Sequence, residues 1–426
     1  MLRPIKEMKD SGIEWVGFVP QDWKIVPIGS CFDEVVEKNK EGLVKNALKF
    51  TYGQIIPKTN FDADEDDYVA DTILNYYIVD PGTIMINGLN LNFDLISQRT
   101  GLVKERGIIT SAYVGIIPKD FSVTLPEFMN YLFKAYDYRM AFHNMGGGVR
   151  KILNFTRLKS QKVCFPAITE QRAIASYLDD RCSKLDEIIT EAERSIEEYK
   201  ELKQAVIFEA VTKGLDKNVP MKDSGIEWIG VIPSHWLVKK FKYVASVNAN
   251  LVSPDDYMDY QQIAPDCIEK DSGRLIKERT VSEAGVESWN QLFHKGQLIY
   301  SKIRPILNKV IIAPYGGLCS ADMYPLDVVE DIEFIQKAML SRYFVEQVGL
   351  ITQDRVKMPK INKEELSNIL IVIPPRDEQV EIVKYLKTRL EGFDELIDEK
   401  QSLIEDLKAY KKSLIYEVVT GKRRVV

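Results

Sequence analysis

Met8-Lys9-Asp10-Ser11-Gly12-Ile13-Glu14-Trp15-Val16-Gly17 returns almost unchanged as Met221-Lys222-Asp223-Ser224-Gly225-Ile226-Glu227-Trp228-Ile229-Gly230. Each copy runs on to a proline and a tryptophan, Pro20 and Trp23 in the first, Pro233 and Trp236 in the second. The copies are offset by 213 residues, from 8 to 221. A second pair of matching stretches lies further on. Pro166-Ala167-Ile168-Thr169-Glu170-Gln171 and Pro374-Pro375-Arg376-Asp377-Glu378-Gln379 are offset by 208 residues, from 166 to 374. Each opens a long helical pattern, and these close on Val211-Thr212-Lys213-Gly214 and Val419-Thr420-Gly421-Lys422. Such a period is too long for a solenoid. The chain reads as a duplication, each half running motif, globular region, long helix.

Apolar residues fall at Ile174, Leu178, Leu185, Ile188, Ala192, Ile196, Tyr199, Leu202 and Val206 in the first pattern. In the second they fall at Ile382, Leu386, Phe393, Leu396, Leu403, Leu407, Tyr410, Leu414 and Val418. Steps of three and four make a narrow stripe suited to a coiled-coil seam, and the glycines at the ends are stop signals. A helix of about 40 residues is roughly 60 Å long. The two are expected to pack on each other. A partner-binding stalk is the other reading, and both can hold, because a helix pair leaves its outer faces free.

Between these flanks the two globular parts differ far more in sequence. Short β-branched runs bounded by Gly and Pro, such as Pro81–Asn87 and Lys295–Ser301, or Gly107–Ser111 and Gly317–Ala321, predict strands. Phe128–Phe133 and Phe334–Leu340 predict helices that follow. The fold class is α+β: a globular domain over 1–165, a long helix over 166–214, a second domain over 215–373 and a second long helix over 374–426.

The chain has 426 residues, enough for two to four domains, with 45% hydrophobic and 28% charged residues. Its net charge is −6, which argues weakly against a chain coated in positive charge and leaves room for a local basic groove. No stretch approaches the roughly 18 apolar residues of a membrane span, and the opening Met1–Glu7 lacks a signal-peptide apolar region. The five cysteines, 31, 164, 182, 267 and 319, are widely spaced without a Cys-x-x-Cys. A reducing, cytoplasmic setting is expected.

Catalytic signals are missing. The three histidines, 143, 235 and 294, lie at no metal-ligand spacing, so no metal site is expected. A Walker-type loop is absent. Gly146-Gly147-Gly148 follows a predicted helix instead of a strand, and no Asn-Pro-Pro-aromatic or Asp-Pro-Pro-aromatic tetrapeptide marks an amino-methyltransferase. Pro265-Asp266 with Glu269-Lys270 has a superficial nuclease look at the wrong spacing. The acidic run Asp62, Asp64, Glu65, Asp66, Asp67 fits a solvated loop better than a cation site. Elimination leaves a protein with no catalytic residues and no cofactor of its own.

Positive charge is segregated. Seven bases (Lys134, Arg139, Arg150, Lys151, Arg157, Lys159, Lys162) stand against one acid, Asp137, between 130 and 165. Between Ser288 and Ala321 there are four bases, Lys295, Lys302, Arg304 and Lys309, and no acid. The helix over 166–214 carries seven bases against eleven acids. Basic clusters of this kind suit phosphate contacts. Arg and Lys suit guanine and Asn and Gln suit adenine in the major groove. Candidate DNA contacts in the first half are Asn87, Asn90, Asn92, Gln98, Arg99, Lys104, Arg106, Arg150, Lys151 and Arg157. In the second they are Ser301, Lys302, Arg304, Asn308, Lys309, Arg355 and Lys357. For any one of them a solvated loop surface is the competing reading.

Taken together, the Met-Lys-Asp-Ser-Gly-Ile-Glu-Trp-x-Gly openings, the Pro-x-x-x-Glu-Gln helix entries, the Val-Thr-Lys-Gly and Val-Thr-Gly-Lys endings and the duplication resemble the specificity (S) subunits of type I restriction-modification systems. The resemblance covers essentially the whole chain. It implies two target recognition domains on double-stranded DNA, spaced by antiparallel helices. It also implies two methyltransferase (M) subunits as partners and, through them, two restriction (R) subunits. S-adenosylmethionine, ATP and magnesium would belong to those partners. Two similar domains within one chain would enter grooves on one face of the duplex, with half-sites about 34–36 Å apart. The half-sites should differ because the domains differ, and the helices would set the spacer between them. The outer helix faces near the repeated motifs are the expected docking surface, with Trp15, Trp228, Glu170, Gln171, Glu378 and Gln379 as candidates. Core packing at the join between motif and domain is the other reading for Trp15, Trp23, Trp228 and Trp236. A nuclease–methyltransferase fusion and a coiled-coil adaptor that binds only protein are the rival functions.

Overall fold

The computed structural model describes residues 2–59, 73–94, 98–148, 151–355 and 357–425. The acidic run and Arg150 lie outside them. The chain forms two compact units, Met1–Ala192 with Ser402–Val426, and Glu193–Gln401. Each long helix, Ile168–Lys213 and Arg376–Val419, contributes to both.

In the first unit the repeated motif is a hairpin, Met8–Asp10 against Phe18–Pro20. Strand Lys24–Pro27 leaves it and pairs with Lys162–Phe165, which feeds the first long helix. Between these lies an antiparallel sheet in the order Phe32–Glu34, Val114–Pro118, Ile84–Ile86, Thr100–Leu102. Helix Pro126–Tyr138 buries Phe128, Met129, Leu132, Phe133 and Tyr136.

The second unit repeats this frame. Hairpin Met221–Asp223 with Val231–Pro233 leads to Leu237–Lys240, which pairs with Leu370–Ile373. Its sheet has the order Ala245–Val247, Met323–Val328, Leu298–Ser301, Val310–Ile312, followed by helix Ile332–Leu340. A further sheet, Leu251–Val252, Asn290–Phe293, Gly317–Cys319, Gln261–Ile263, is added to this unit.

The third strand of each main sheet is buried throughout because both its faces are covered. Side chains alternate across a strand. Ile84 and Ile86 join the core of helix Pro126–Tyr138, whereas Met85 joins a second cluster with Leu48, Ile55 and Val79. Leu298 and Tyr300 likewise face one core and Ile299 another.

The long helices run antiparallel. In the first unit the start of one packs with the end of the other around Ile174, Leu178, Leu185, Leu414 and Val418. In the second unit the end of the first packs with the start of the second around Ile207, Val211, Ile382, Leu386 and Leu390. The expected stripe needs correction. Ile188, Leu202, Leu396, Leu403 and Tyr410 are exposed, while Ile189, Val383, Ile404 and Ile415 are buried. Each helix must cover a globular core as well as its partner helix, so its buried face is wider than a two-helix seam and turned from it.

Charged residues fix the pairing. Lys411 Nζ donates to both carboxylate oxygens of Asp186 at 2.6 Å in the first unit. In the second, Lys203 donates to Asp394. These pairs are related by the repeat: Asp186 and Asp394 are 208 apart, and so are Lys203 and Lys411.

The repeated sequence signals form an internal latch, which corrects the expectation that Glu170, Gln171, Glu378 and Gln379 face a partner. The buried indole of Trp23 donates to Glu170 Oε2 at 3.1 Å, and that of Trp236 to Glu378 Oε2 at 2.9 Å. Gln171 is fully buried; it accepts from Leu125 N at 2.8 Å and donates to Val123 O and Pro166 O. Gln379, also fully buried, accepts from Asp331 N at 2.9 Å and donates to Pro374 O and Glu330. The helix ends close the same latch. A Cβ on Gly421 (φ 69°) would fall 2.4 Å from Pro20 and 3.1 Å from Trp23. One on Gly214 (φ 74°) would fall 3.1 Å from Trp236. Lys422 donates to Val16 O and Phe18 O, and Lys213 to Ile229 O and Val231 O. The Lys-Gly and Gly-Lys endings thus place an ammonium on equivalent carbonyls.

Gln171→Leu strands the Leu125 N–H and the Val123 and Pro166 carbonyls, and each buried group left unmade costs about 1–3 kcal/mol. The variant should melt well below the parent by calorimetry, and Gln379→Leu likewise; unchanged melting would deny the latch its role. The Lys203–Asp394 side chains are only 13% and 27% exposed. Lys203→Asp should therefore cost more than the roughly 1 kcal/mol of an exposed pair. Adding Asp394→Lys should recover most of the loss, and a double variant no more stable than the single would count against the pair.

Candidate nucleic-acid interface

In each unit the loop after the third strand of the main sheet meets a segment about 60 residues further on. Leu153 N donates to Gly88 O at 2.9 Å, joining the loop 87–94 to the segment 146–153. Arg304 N donates to Pro359 O at 2.7 Å and Ile361 N to Lys302 O at 2.9 Å, joining the loop 302–309 to the segment 355–361. Candidates far apart in sequence thereby come together: Asn87, Asn90 and Asn92 with Lys151 and Arg157 in one unit, Lys302 and Arg304 with Arg355 and Lys357 in the other.

Their settings differ. Asn90, Asn92, Lys151, Arg157, Arg304 and Lys357 are exposed. Asn87 is half-buried, its side chain accepting from Leu89 N at 3.1 Å. The Arg157 guanidinium lies against Gly147, where a Cβ would fall 2.2 Å from its Cζ. Lys302 sits over the Tyr324 ring at 5.3 Å. Lys309 donates to Pro265 O at 2.5 Å, and Arg355 pairs with Glu365 at 2.5 Å, so both are partly committed within the protein. Lys104 and Arg106 are exposed on a separate turn, Arg106 paired with Asp80.

Three expectations are corrected by burial. Arg99 is 0% exposed and donates to Asn87 O, Leu89 O and Asp94 O at 3.1, 2.8 and 2.6 Å. It holds its own loop from inside. Beneath it Asp137, accepting from Arg99 N at 2.7 Å, has its carboxyl pushed up to about 6 by burial. Asn308 is 1% exposed and ends a short turn, its N–H donating to Pro305 O. Ser301 is buried, donating to Ile303 O.

Backbone conformation marks the same places. Eight described non-glycine residues have positive φ, and five of them, Asn90, Lys151, Arg304, Asn308 and Met358, lie in these two loop pairs. Such conformations are disfavoured for L-residues and concentrate at binding sites. Asparagine tolerates this conformation, but nothing in residue type announces it at Lys151, Arg304 and Met358. Lys360, exposed and donating to Asp322 at 2.9 Å, joins the second face three residues after the candidate Lys357.

The tryptophans part company. Trp15 is half-buried, edge-on to Tyr136 at 5.7 Å. Trp228 is 38% exposed on the wall of an open cleft of about 1040 Å³ with Phe208, Arg274 and Asp394. The five cysteines are free and buried, and burial pushes the Cys164 thiol up to about 12. Among the described residues no cluster of His, Cys, Asp and Glu could hold a metal, and no helix is long and apolar enough to cross a membrane.

The family model for the type I restriction modification DNA specificity domain matches residues 20–198 and 238–406. The chain is 27% identical over 428 residues to the type I restriction enzyme EcoDI specificity subunit of Escherichia coli, over 95% of this chain and 90% of that one. It is 25% identical to the MjaVIII specificity subunit of Methanocaldococcus jannaschii, over 96% and 94%. A solved chain from work on complex assembly and conformational transition of the type I R-M system superposes with a TM-score of 0.70 at 14% identity, over 95% and 99% of the two chains. At that identity the likeness is one of fold. Each family match spans one globular frame and part of a long helix, so the chain belongs to the type I restriction modification DNA specificity domain family, with two copies in tandem.

Proposed function

We propose that this chain is the DNA-reading subunit of a type I restriction-modification complex and carries no chemistry of its own. The observation that carries the proposal is one frame bearing two different loops. Both units place a braced loop after the same strand, but one offers Asn90, Asn92 and Lys151 and the other Lys302, Arg304 and Lys357. Two such loops would read two unlike half-sites of one asymmetric, bipartite site. Lys and Arg at the rims would hold phosphates, a sequence-independent and salt-dependent contribution.

The helices support two equivalent docking sites for a repeated partner. Ile188, two residues after Asp186, and Tyr410, one before Lys411, are 49% exposed. Leu396, two residues after Asp394, and Leu202, one before Lys203, are 40% and 52% exposed. Both units thus expose apolar residues at the same two repeat positions. Two copies of a methyltransferase subunit would dock there, one per unit, and restriction subunits would join through them. S-adenosylmethionine, ATP and magnesium would be held by those partners.

Methylome sequencing of cells with and without this chain is the direct test. One bipartite motif should lose methylation when the chain is removed, and an unchanged methylome in an otherwise active system would sink the reading. With the methyltransferase partner present, binding to the motif duplex should weaken steeply as salt rises; a protein-only adaptor would bind no duplex at any salt. Inserting one or two helical turns within Ile168–Lys213 should lengthen the unread spacer of that motif. Site selection returning the parental spacer would refute the helices as a ruler.

A further inference from the structure

The loop 87–94 is braced more heavily than a solvated loop requires. The buried Arg99 guanidinium binds three of its carbonyls, at Asn87, Leu89 and Asp94. Burying a guanidinium is costly unless it gains hydrogen bonds, and these three brace the loop from inside. Asn90, at φ 52°, accepts from Phe93 N at 3.1 Å and Asp94 N at 3.2 Å, which closes the tip. Phe93 is then 78% exposed, beside exposed Asn90 and Asn92.

The second unit reaches the same result with unrelated residues. Its loop follows the equivalent strand, Leu298–Ser301. Buried Pro305 fixes one backbone angle, and Arg304 and Asn308, at φ 42° and 45°, bracket the turn. The Arg304 N–H is tied to Pro359 O. The residue held outward is Ile306, 50% exposed, next to exposed Arg304. A lone exposed apolar side chain needs no explanation. Two of them, at one position of a duplicated frame, each on a rigid loop among DNA-type polar groups, do.

We propose that Phe93 and Ile306 are wedges that enter the base stack, one in each half-site, and open a base step. Apolar side chains used in this way unstack and kink a duplex. The step opened would add to recognition through its deformability, pyrimidine–purine steps yielding most easily. The inference rests on the DNA-reading function above and goes beyond it, because groove contacts alone require no unstacking.

The test uses the full chain with its methyltransferase partner and duplexes of the methylated motif, each carrying 2-aminopurine at one position. Binding should raise the fluorescence at one position in each half, distinct from the methylated base. Phe93→Ala should abolish the rise in one half only and weaken binding about tenfold or more, and Ile306→Ala should do so in the other half. Phe121→Ala, at another exposed phenylalanine (50%), should leave both signals. Thermal melting should match the parent for all three. Tight binding without any such bright position, or bright positions that survive Phe93→Ala and Ile306→Ala, would overturn the wedges and leave the DNA-reading function standing. Absence of duplex binding by the parental complex would instead remove that function, and the wedges with it.

Discussion

A buried indole N–H must find an acceptor, and in this chain the acceptor for Trp23 and for Trp236 is the carboxylate in the first turn of a long helix. That carboxylate is doubly suited to its place, since negative charge is also favoured at a helix N-terminus. The bond ties a repeated motif to a helix start. The next residue, Gln171 or Gln379, ties the same turn to the chain entering the unit's core helix. A glycine and a lysine at the end of the other long helix close over the tryptophan's far side. Motif, helix start and helix end are fixed around one side chain, and the sheet and its loops are built outward from there.

This explains why the flanks repeat and the interiors do not. The latch needs an indole, a carboxylate, an amide, a glycine without a Cβ and an ammonium within reach of two carbonyls. Few residues can replace any of these, so the repeat was legible. The sheets need only apolar residues at buried positions, which is why Ile84-Met85-Ile86 and Leu298-Ile299-Tyr300 serve equally and correspond only faintly. Strands and core helices could be read from such runs. The face each long helix buries could not, because an apolar stripe does not say whether it meets another helix, a globular core or a partner. Ile188 and Ile189 illustrate it: neighbours of one type, one exposed and one buried.

The candidate faces were half legible. Charge counting picked out stretches that the fold joins into loop pairs but treated every base and amide in them as outward-facing. Arg99 and Asn308 show the failure, since residue type gives no sign that a guanidinium is spent on three carbonyls of its own loop. The joining of 87–94 with 146–153, and of 302–309 with 355–361, depends on contacts across about 60 residues that no local pattern encodes. The net charge of −6 was the least informative number, being an average over acidic helices and basic loops.

The 208-residue offset carries further than the fold. It maps Asp186 onto Asp394 and Lys203 onto Lys411, and each aspartate pairs with the lysine from the other copy. A helix pair with such reciprocal charges has one register, since sliding either helix by a turn breaks both bonds together. The exposed Ile188, Leu396, Leu202 and Tyr410 obey the same offset, whereas the loop residues Phe93 and Ile306 stand 213 apart, the offset of the opening motif, and differ in type. On the proposed function, surfaces that would meet two copies of one partner are constrained to be alike, and surfaces that would meet two unlike half-sites only to be rigid. One chain would satisfy both demands by repeating its latch and helices closely and its loops only in geometry, so a new DNA specificity would require changes in the loops and none in the frame.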